Sequence, residues 1–165
     1  MASSSAENAL GLSRYPYQPL DEPDSIRLLC LNPASSSTAE VRCDLLHTTL
    51  RFCADIYGHY TALSYVWGNP NNNKIIWVNR TPFSITVNLY SALRDLRHKS
   101  SALQLWTDAI CINQRDDKEK LEQIKIIGKI YSMAARTVIY FGPLETGDEA
   151  KLDSWALTDF DEIRF

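Results

Sequence analysis

Tyr60-Thr-Ala-Leu-Ser-Tyr-Val-Trp67, closed by Gly68-Asn69-Pro70, governs how the rest of the chain is read. The run favours β structure and is apolar on both alternating faces, which is the pattern of a central strand covered on both sides. Two further runs repeat it: Ala102-Leu-Gln-Leu-Trp106, and Thr137-Val-Ile-Tyr-Phe141 before Gly142-Pro143. Helical patterns lie between them. Leu89, Ala92, Leu93 and Leu96 recur at i, i+3, i+4 and i+7 behind Asn88, which reads as the N-cap. The strongest helix spans about Asp117 to Ala135, with Asp116 and Glu119 at capping-box spacing. At 100° per residue it predicts a buried face of Leu121, Ile124, Ile127, Tyr131 and Ala134. Lys118, Glu122, Lys125 and Lys129 form the solvated face, and Glu119 and Gln123 stack at its edge, in reach of a cleft rim. Strand, helix, strand, helix, strand predicts an α/β core with a central, mostly parallel sheet flanked by helices.

Upstream, Ser25–Leu31 and Val41–His47 read as strands of an antiparallel hairpin turning through Ser35–Ser37. Ile75–Val78 and Phe83–Val87 read as a second hairpin with a longer loop, Asn79-Arg-Thr-Pro82. Pro82 keeps its strand out of a central position. Residues 49–57 fit either a strand or a short helix. The expected organisation is therefore a disordered, Ser-, Pro- and acid-rich tail over 1–23 and an α/β domain over 24–145. Residues 146–165 hold a C-terminal helix around Asp148–Leu157, or a truncated remainder.

The chain has 165 residues, 45% of them apolar, enough for one buried core and too many for wholesale disorder. With 17 basic and 20 acidic side chains and no basic run, nucleic acid is not an expected partner. No stretch approaches the roughly 18 apolar residues of a membrane span. The first 24 residues lack the apolar block of a secretion signal and Ala2 breaks the myristoylation pattern, so a cytoplasmic location is expected. Cys30, Cys43, Cys53 and Cys111 form no C-x-x-C pair; Cys43 and His47 alone have ligand-like spacing, so no metal site is expected.

No Walker loop, G-x-G-x-x-G, H-E-x-x-H or G-x-S-x-G occurs. Two polar clusters remain, each at the C-terminal end of an expected strand, where α/β sheets form ligand crevices. In the first, Ser64, Tyr65, Trp67 and Gly68 offer an aromatic wall and a hydroxyl to a ring-bearing ligand. The same residues also fit core aromatics beside a permissive turn. In the second, Asp108, Cys111, Asn113, Gln114 and Glu119 follow Trp106. Asp108 ends an apolar strand and needs a donor or a ligand. Asn113 and Gln114 suit either loop bracing or a cleft rim.

Leu-Ser-Tyr-Val-Trp-Gly at 63–68, Asn88-Leu-Tyr-Ser-Ala-Leu93 and Leu105-Trp-Thr-Asp-Ala-Ile-Cys-Ile-Asn-Gln114 occur in order. Glu119, Gln123, Ile130-Tyr131 and Val138-Ile-Tyr-Phe-Gly142 follow. This set resembles the heterokaryon-incompatibility (HET) domain of filamentous fungi over about residues 60–143. Thr107 and Gly128 depart from the residues common at those places, and the helical Gly128 suggests close packing. The resemblance implies nonself recognition and programmed cell death after incompatible hyphal fusion, by self-association or with other incompatibility proteins. It also implies a TIR- or flavodoxin-like fold. By analogy with NAD-cleaving TIR domains, Glu119 would be the catalytic residue of an NAD glycohydrolase, stabilising an oxocarbenium-like transition state or engaging the ribose hydroxyls, with Tyr65 and Trp67 as candidate stacking residues. NAD would be a substrate, and no cofactor is required. A truncated, inactive HET-like product is the third reading.

Overall fold

The computed structural model describes residues 15–55 and 60–142. Among these residues, seven strands and four helices appear in the order β1 (Ser25–Leu31), β2 (Arg42–Thr49), α1 (Leu50–Asp55), β3 (Thr61–Tyr65), β4 (Asn73–Val78), β5 (Thr81–Thr86), α2 (Val87–Leu96), β6 (Leu103–Trp106), α3 (Asp108–Cys111), α4 (Asp117–Met133) and β7 (Arg136–Tyr140). All seven strands join one sheet in the order β5-β4-β2-β1-β6-β3-β7. The pairs β2–β4, β3–β6 and β3–β7 are parallel, whereas β1–β2, β1–β6 and β4–β5 are antiparallel.

The sheet is therefore mixed, which corrects the expectation of a mostly parallel one. The first hairpin is not an addition at an edge: β1 and β2 hold the centre and together join the parallel trio β6-β3-β7 to the hairpin β4–β5, which forms the other end of the sheet. Both neighbours of β1 run against it, so every crossing at the centre is antiparallel. Six of the seven β1 residues are buried, as a central strand requires. β7, expected to be buried, is instead an edge strand with Ile139 exposed. Its apolar content was not a sign of centrality.

Alternation along β3 places the helices. Tyr65 pairs with Tyr140 and Ser64 with Ile139, so these two pairs point to opposite faces. The Tyr140 hydroxyl donates to Asp95 of α2 (2.8 Å), whereas Ser64 meets Tyr131 of α4. The helices α2 and α4 thus cover opposite faces, and Trp106 packs edge-on to Tyr131 at 5.6 Å within the α4 layer.

Three local expectations change. Thr86, not Asn88, caps α2, its hydroxyl accepting from Leu89 N–H. Asn88 instead donates through Nδ2 to Val66 O (3.0 Å). The β4–β5 loop is a two-residue turn, Asn79-Arg80, with φ of +47° and +65°, the primed geometry that matches strand twist. Pro82 does lie on the sheet's edge strand. In α4, Asp116 caps Lys118 and Glu119 N–H as expected, and Ile127, Tyr131 and Ala134 of the predicted stripe pack against the core, but the first half of the helix departs from it. Gln123 and Ile130 are buried, while Leu121 and Ile124 are 57% and 59% exposed. Counting apolar residues misplaced the inward face there because Glu119 and Gln123 are drawn inward by polar partners on β1.

Residues 15–23, expected within a disordered tail, instead run along the domain as a strap. Tyr15 and Tyr17 pack against the core, Tyr17 donates to Ile110 O (2.8 Å), and Tyr15 accepts from Asn79 Nδ2 (2.9 Å). The rest of that tail, and the expected helix around Asp148–Leu157, lie outside the described residues.

Candidate functional site

Glu119 owes its position to a residue far upstream of the Trp67 motif and invisible to local pattern reading: Arg27, in the middle of β1 and fully buried. A guanidinium without water must place all five of its N–H donors, and Arg27 does. Nη1 and Nη2 grip the two Glu119 oxygens at 2.6 and 2.9 Å. Nη1 also donates to Cys111 O (3.1 Å), Nη2 to Gln18 O (2.6 Å) and Nε to His47 Nε2 (3.3 Å). The Tyr17 ring lies over the cation, 4.9 Å from centroid to Cζ. Glu119 Oε1 accepts a further bond from Asn113 N–H (2.7 Å), fixing the loop between α3 and α4.

This arrangement replaces the expected capping box. Asp116 N–H goes to Asn113 O (3.0 Å), not to Glu119. The carboxylate is one arm of a bidentate buried pair and only 10% exposed. Burial and the Arg27 charge hold His47 below its ordinary pKa, so its ring accepts from Nε in the neutral form.

An aromatic cleft of about 260 Å³ shares Tyr17 and Asn113 with this pair, while Arg27 and Glu119 themselves do not line it. Tyr15 and Tyr17 of the strap, Phe83 of β5, and Tyr65 and Trp67 line it, with Asn113, Gln114 and Arg115 at one side. The Tyr65 and Trp67 rings are parallel within 3°, their centroids 6.4 Å apart. Tyr15, Tyr17 and Phe83 meet edge-on at 4.8 to 6.4 Å. Trp67 is half exposed, and its ring N–H bonds the Asp108 carboxylate. Burial pushes the Asp108 carboxyl above its usual range, although Ala109 N–H (2.8 Å) and Trp67 oppose the shift.

The structure thus joins parts of the two clusters expected to converge. Tyr65, Trp67, Asn113 and Gln114 share the cleft, and Asp108 stands behind Trp67. Ser64 points to the other face of the sheet. Gly68 serves the turn: at φ +75° an added Cβ would lie 2.8 Å from Asn88 Nδ2. Cys111 is fully buried in the core, its thiol pushed up to about 12 by burial, which removes it from nucleophilic chemistry near neutral pH. Gln114 Nε2 braces the loop through Asp108 O (2.8 Å). Gly128, read as a point of close packing, has nothing within 4 Å of an added Cβ.

Sequence reading missed Arg27, Tyr15, Tyr17 and Phe83. One signal was available for Arg27: a lone cation inside Ser-Ile-Arg-Leu-Leu-Cys-Leu demands a buried acid elsewhere. Among the described residues no cluster of three or more His, Cys, Asp or Glu side chains is placed to hold a metal ion. None of the described helices is long and apolar enough to cross a membrane.

Comparison with known proteins follows the same residues. The family described as Heterokaryon incompatibility protein (HET) matches residues 60–161. The chain is similar to heterokaryon incompatibility protein 6, OR allele, of Neurospora crassa, with 32% identity over 169 aligned positions. That alignment takes in 94% of this chain and 24% of the relative, so the chain spans about a quarter of the relative's length. No solved structure matches. The Trp67 loop, the Asp108–Gln114 loop and the start of α4 all fall within the family match, and the chain belongs to the heterokaryon-incompatibility (HET) family.

Proposed function

We propose that this chain is a cytoplasmic HET module for nonself recognition between fungal individuals. It signals incompatibility and cell death by associating with itself or with another incompatibility protein, not by chemistry of its own. The name of the Neurospora relative supplies the biological setting. The observation that carries the mode of action is on α4, where Leu121 and Ile124 stand 57% and 59% exposed. With Phe52 of α1 also 59% exposed, large apolar side chains face water on two helices that touch each other. Such surface marks association more often than chemistry. Glu119, the residue a catalytic reading needs, is committed to Arg27 and Asn113.

The test is expression of the chain in a filamentous host, scoring hyphal death and co-precipitation of differently tagged copies. Leu121→Lys with Ile124→Lys is expected to abolish both while leaving cooperative unfolding intact. Death persisting in that variant overturns the reading. Nicotinamide release from NAD is measured on the same preparations. Release by the wild type, lost in a folded Glu119→Gln variant, would establish the NAD glycohydrolase alternative. A chain that neither associates nor kills would establish the inactive HET-like alternative.

A further inference from the structure

We propose that the aromatic cleft is a docking site for an extended, proline-containing segment of a partner protein. The proposal rests on the association reading and names the chemistry of one partner surface.

Three features select that ligand. The first is shape. Tyr65 and Trp67 present parallel ring faces, and Phe83 with the strap tyrosines forms the other wall. The bond from the Trp67 ring N–H to Asp108 fixes the orientation of a side chain that is nevertheless 48% exposed. Proline offers a flat, rigid apolar ring, and a polyproline II segment reaches the cleft already extended, with little conformational entropy left to lose.

The second feature is charge. Among the described residues lining the cleft there is no carboxylate, and the polar groups are neutral amides and hydroxyls apart from Arg115. Backbone donors that an anion would use at and before the start of α4 are engaged within the chain. Asn113 N–H is held by Glu119, and Lys118 and Glu119 N–H by Asp116. A phosphate-bearing ligand finds no open seat there, whereas an uncharged segment whose proline residues donate no N–H matches the lining.

The third feature is that one wall already holds such a segment. Tyr15-Pro16-Tyr17-Gln18-Pro19 is proline-punctuated and joins no strand of the sheet. It is held instead by Tyr17 to Ile110 O, Tyr15 to Asn79 and Arg27 to Gln18 O. The cleft continues that mode of contact onto Trp67.

The experiment is calorimetric titration of the full chain with a decaproline peptide, with a Gly-Ser decapeptide and AMP as parallel arms. Decaproline is expected to bind and the other two are not. Trp67→Ala and Phe83→Ala should each weaken binding by about tenfold or more, the scale of losing a stacked aromatic anchor. Ile124→Ala, on the other surface, should leave it unchanged, and thermal unfolding confirms that each variant is folded. No binding of decaproline, binding that survives both cleft substitutions, or AMP binding in its place overturns the proposal. Failure here leaves the association reading intact, because that reading is decided by the α4 variants and their death phenotype.

Discussion

Replacing Glu119 removes the counter-charge from a guanidinium with no access to water. Arg27 is 0% and Glu119 10% exposed at the side chain. Two charge-assisted bonds of 2.6 and 2.9 Å join them, and Asn113 N–H adds a third at 2.7 Å. Breaking a buried pair from one side typically costs about 3–5 kcal/mol, because the remaining charge is left uncompensated. Glu119→Ala should fall in that range. Glu119→Gln keeps an acceptor but not the charge and should sit near its lower end, about 3 kcal/mol. Against a total stability of roughly 5–15 kcal/mol, either loss is large, and a domain of this size should lose roughly 6–20 °C in Tm. Replacing both partners by apolar residues, Arg27→Met with Glu119→Leu, should recover much of the loss, since no lone charge remains. Urea unfolding followed by circular dichroism, arranged as a double-mutant cycle, measures each figure and the coupling between the two sites. A Glu119→Gln protein within about 1 kcal/mol of wild type, or a double variant no better than the singles, refutes the argument. The consequence for function is direct. Loss of a death phenotype on mutating Glu119 speaks for catalysis only in protein shown to be folded.

Other perturbations separate backbone, thiol and proton effects. Gly128→Ala, on an open helical surface, should stabilise by about 0.5–1 kcal/mol, whereas Gly68→Ala, strained at φ +75° and driven into Asn88, should destabilise by more than about 1 kcal/mol; chemical denaturation of the pair checks the opposite signs. In native protein, an aromatic disulfide reagent should label Cys30, the only thiol among the described residues that is not buried, well before Cys111, whose labelling should wait for unfolding. His47 has its pKa lowered in the fold, so the unfolded chain binds more protons over the interval below the ordinary value of 6.5. Stability should therefore fall as pH drops through that interval, and His47→Gln should flatten the slope in a pH series of melting temperatures.

Much of the fold was readable one segment at a time, and for one reason: the elements that were read correctly are built on local constraints. Ser25–Leu31 is a mostly apolar run with a Pro stop, and Asp116 caps α4 by accepting from Lys118 and Glu119 N–H, two and three residues on. Pro82, unable to donate to a ladder, went to an edge. The motifs around Trp67 and Asp108 also carried the family, which the match over residues 60–161 shows.

What failed depended on partners distant in the chain. The direction of strand pairing is set by how β1 threads between β2 and β6, and no run of residues encodes that crossing. The inward face of the first half of α4 was misread because Gln123 turns inward to Ser25 O (2.9 Å) and Glu119 to Arg27, 98 and 92 residues away. Those polar attractions outweigh the exposure of Leu121 and Ile124. The cleft is likewise a tertiary product: its walls come from Tyr15 and Tyr17, Tyr65 and Trp67, Phe83 and residues 113–115, which only the closed sheet brings together. Periodicity measures the water-avoidance of each segment separately. The choice of which carboxylate neutralises a buried cation, and which aromatic faces end up opposite one another, is made by the assembled core.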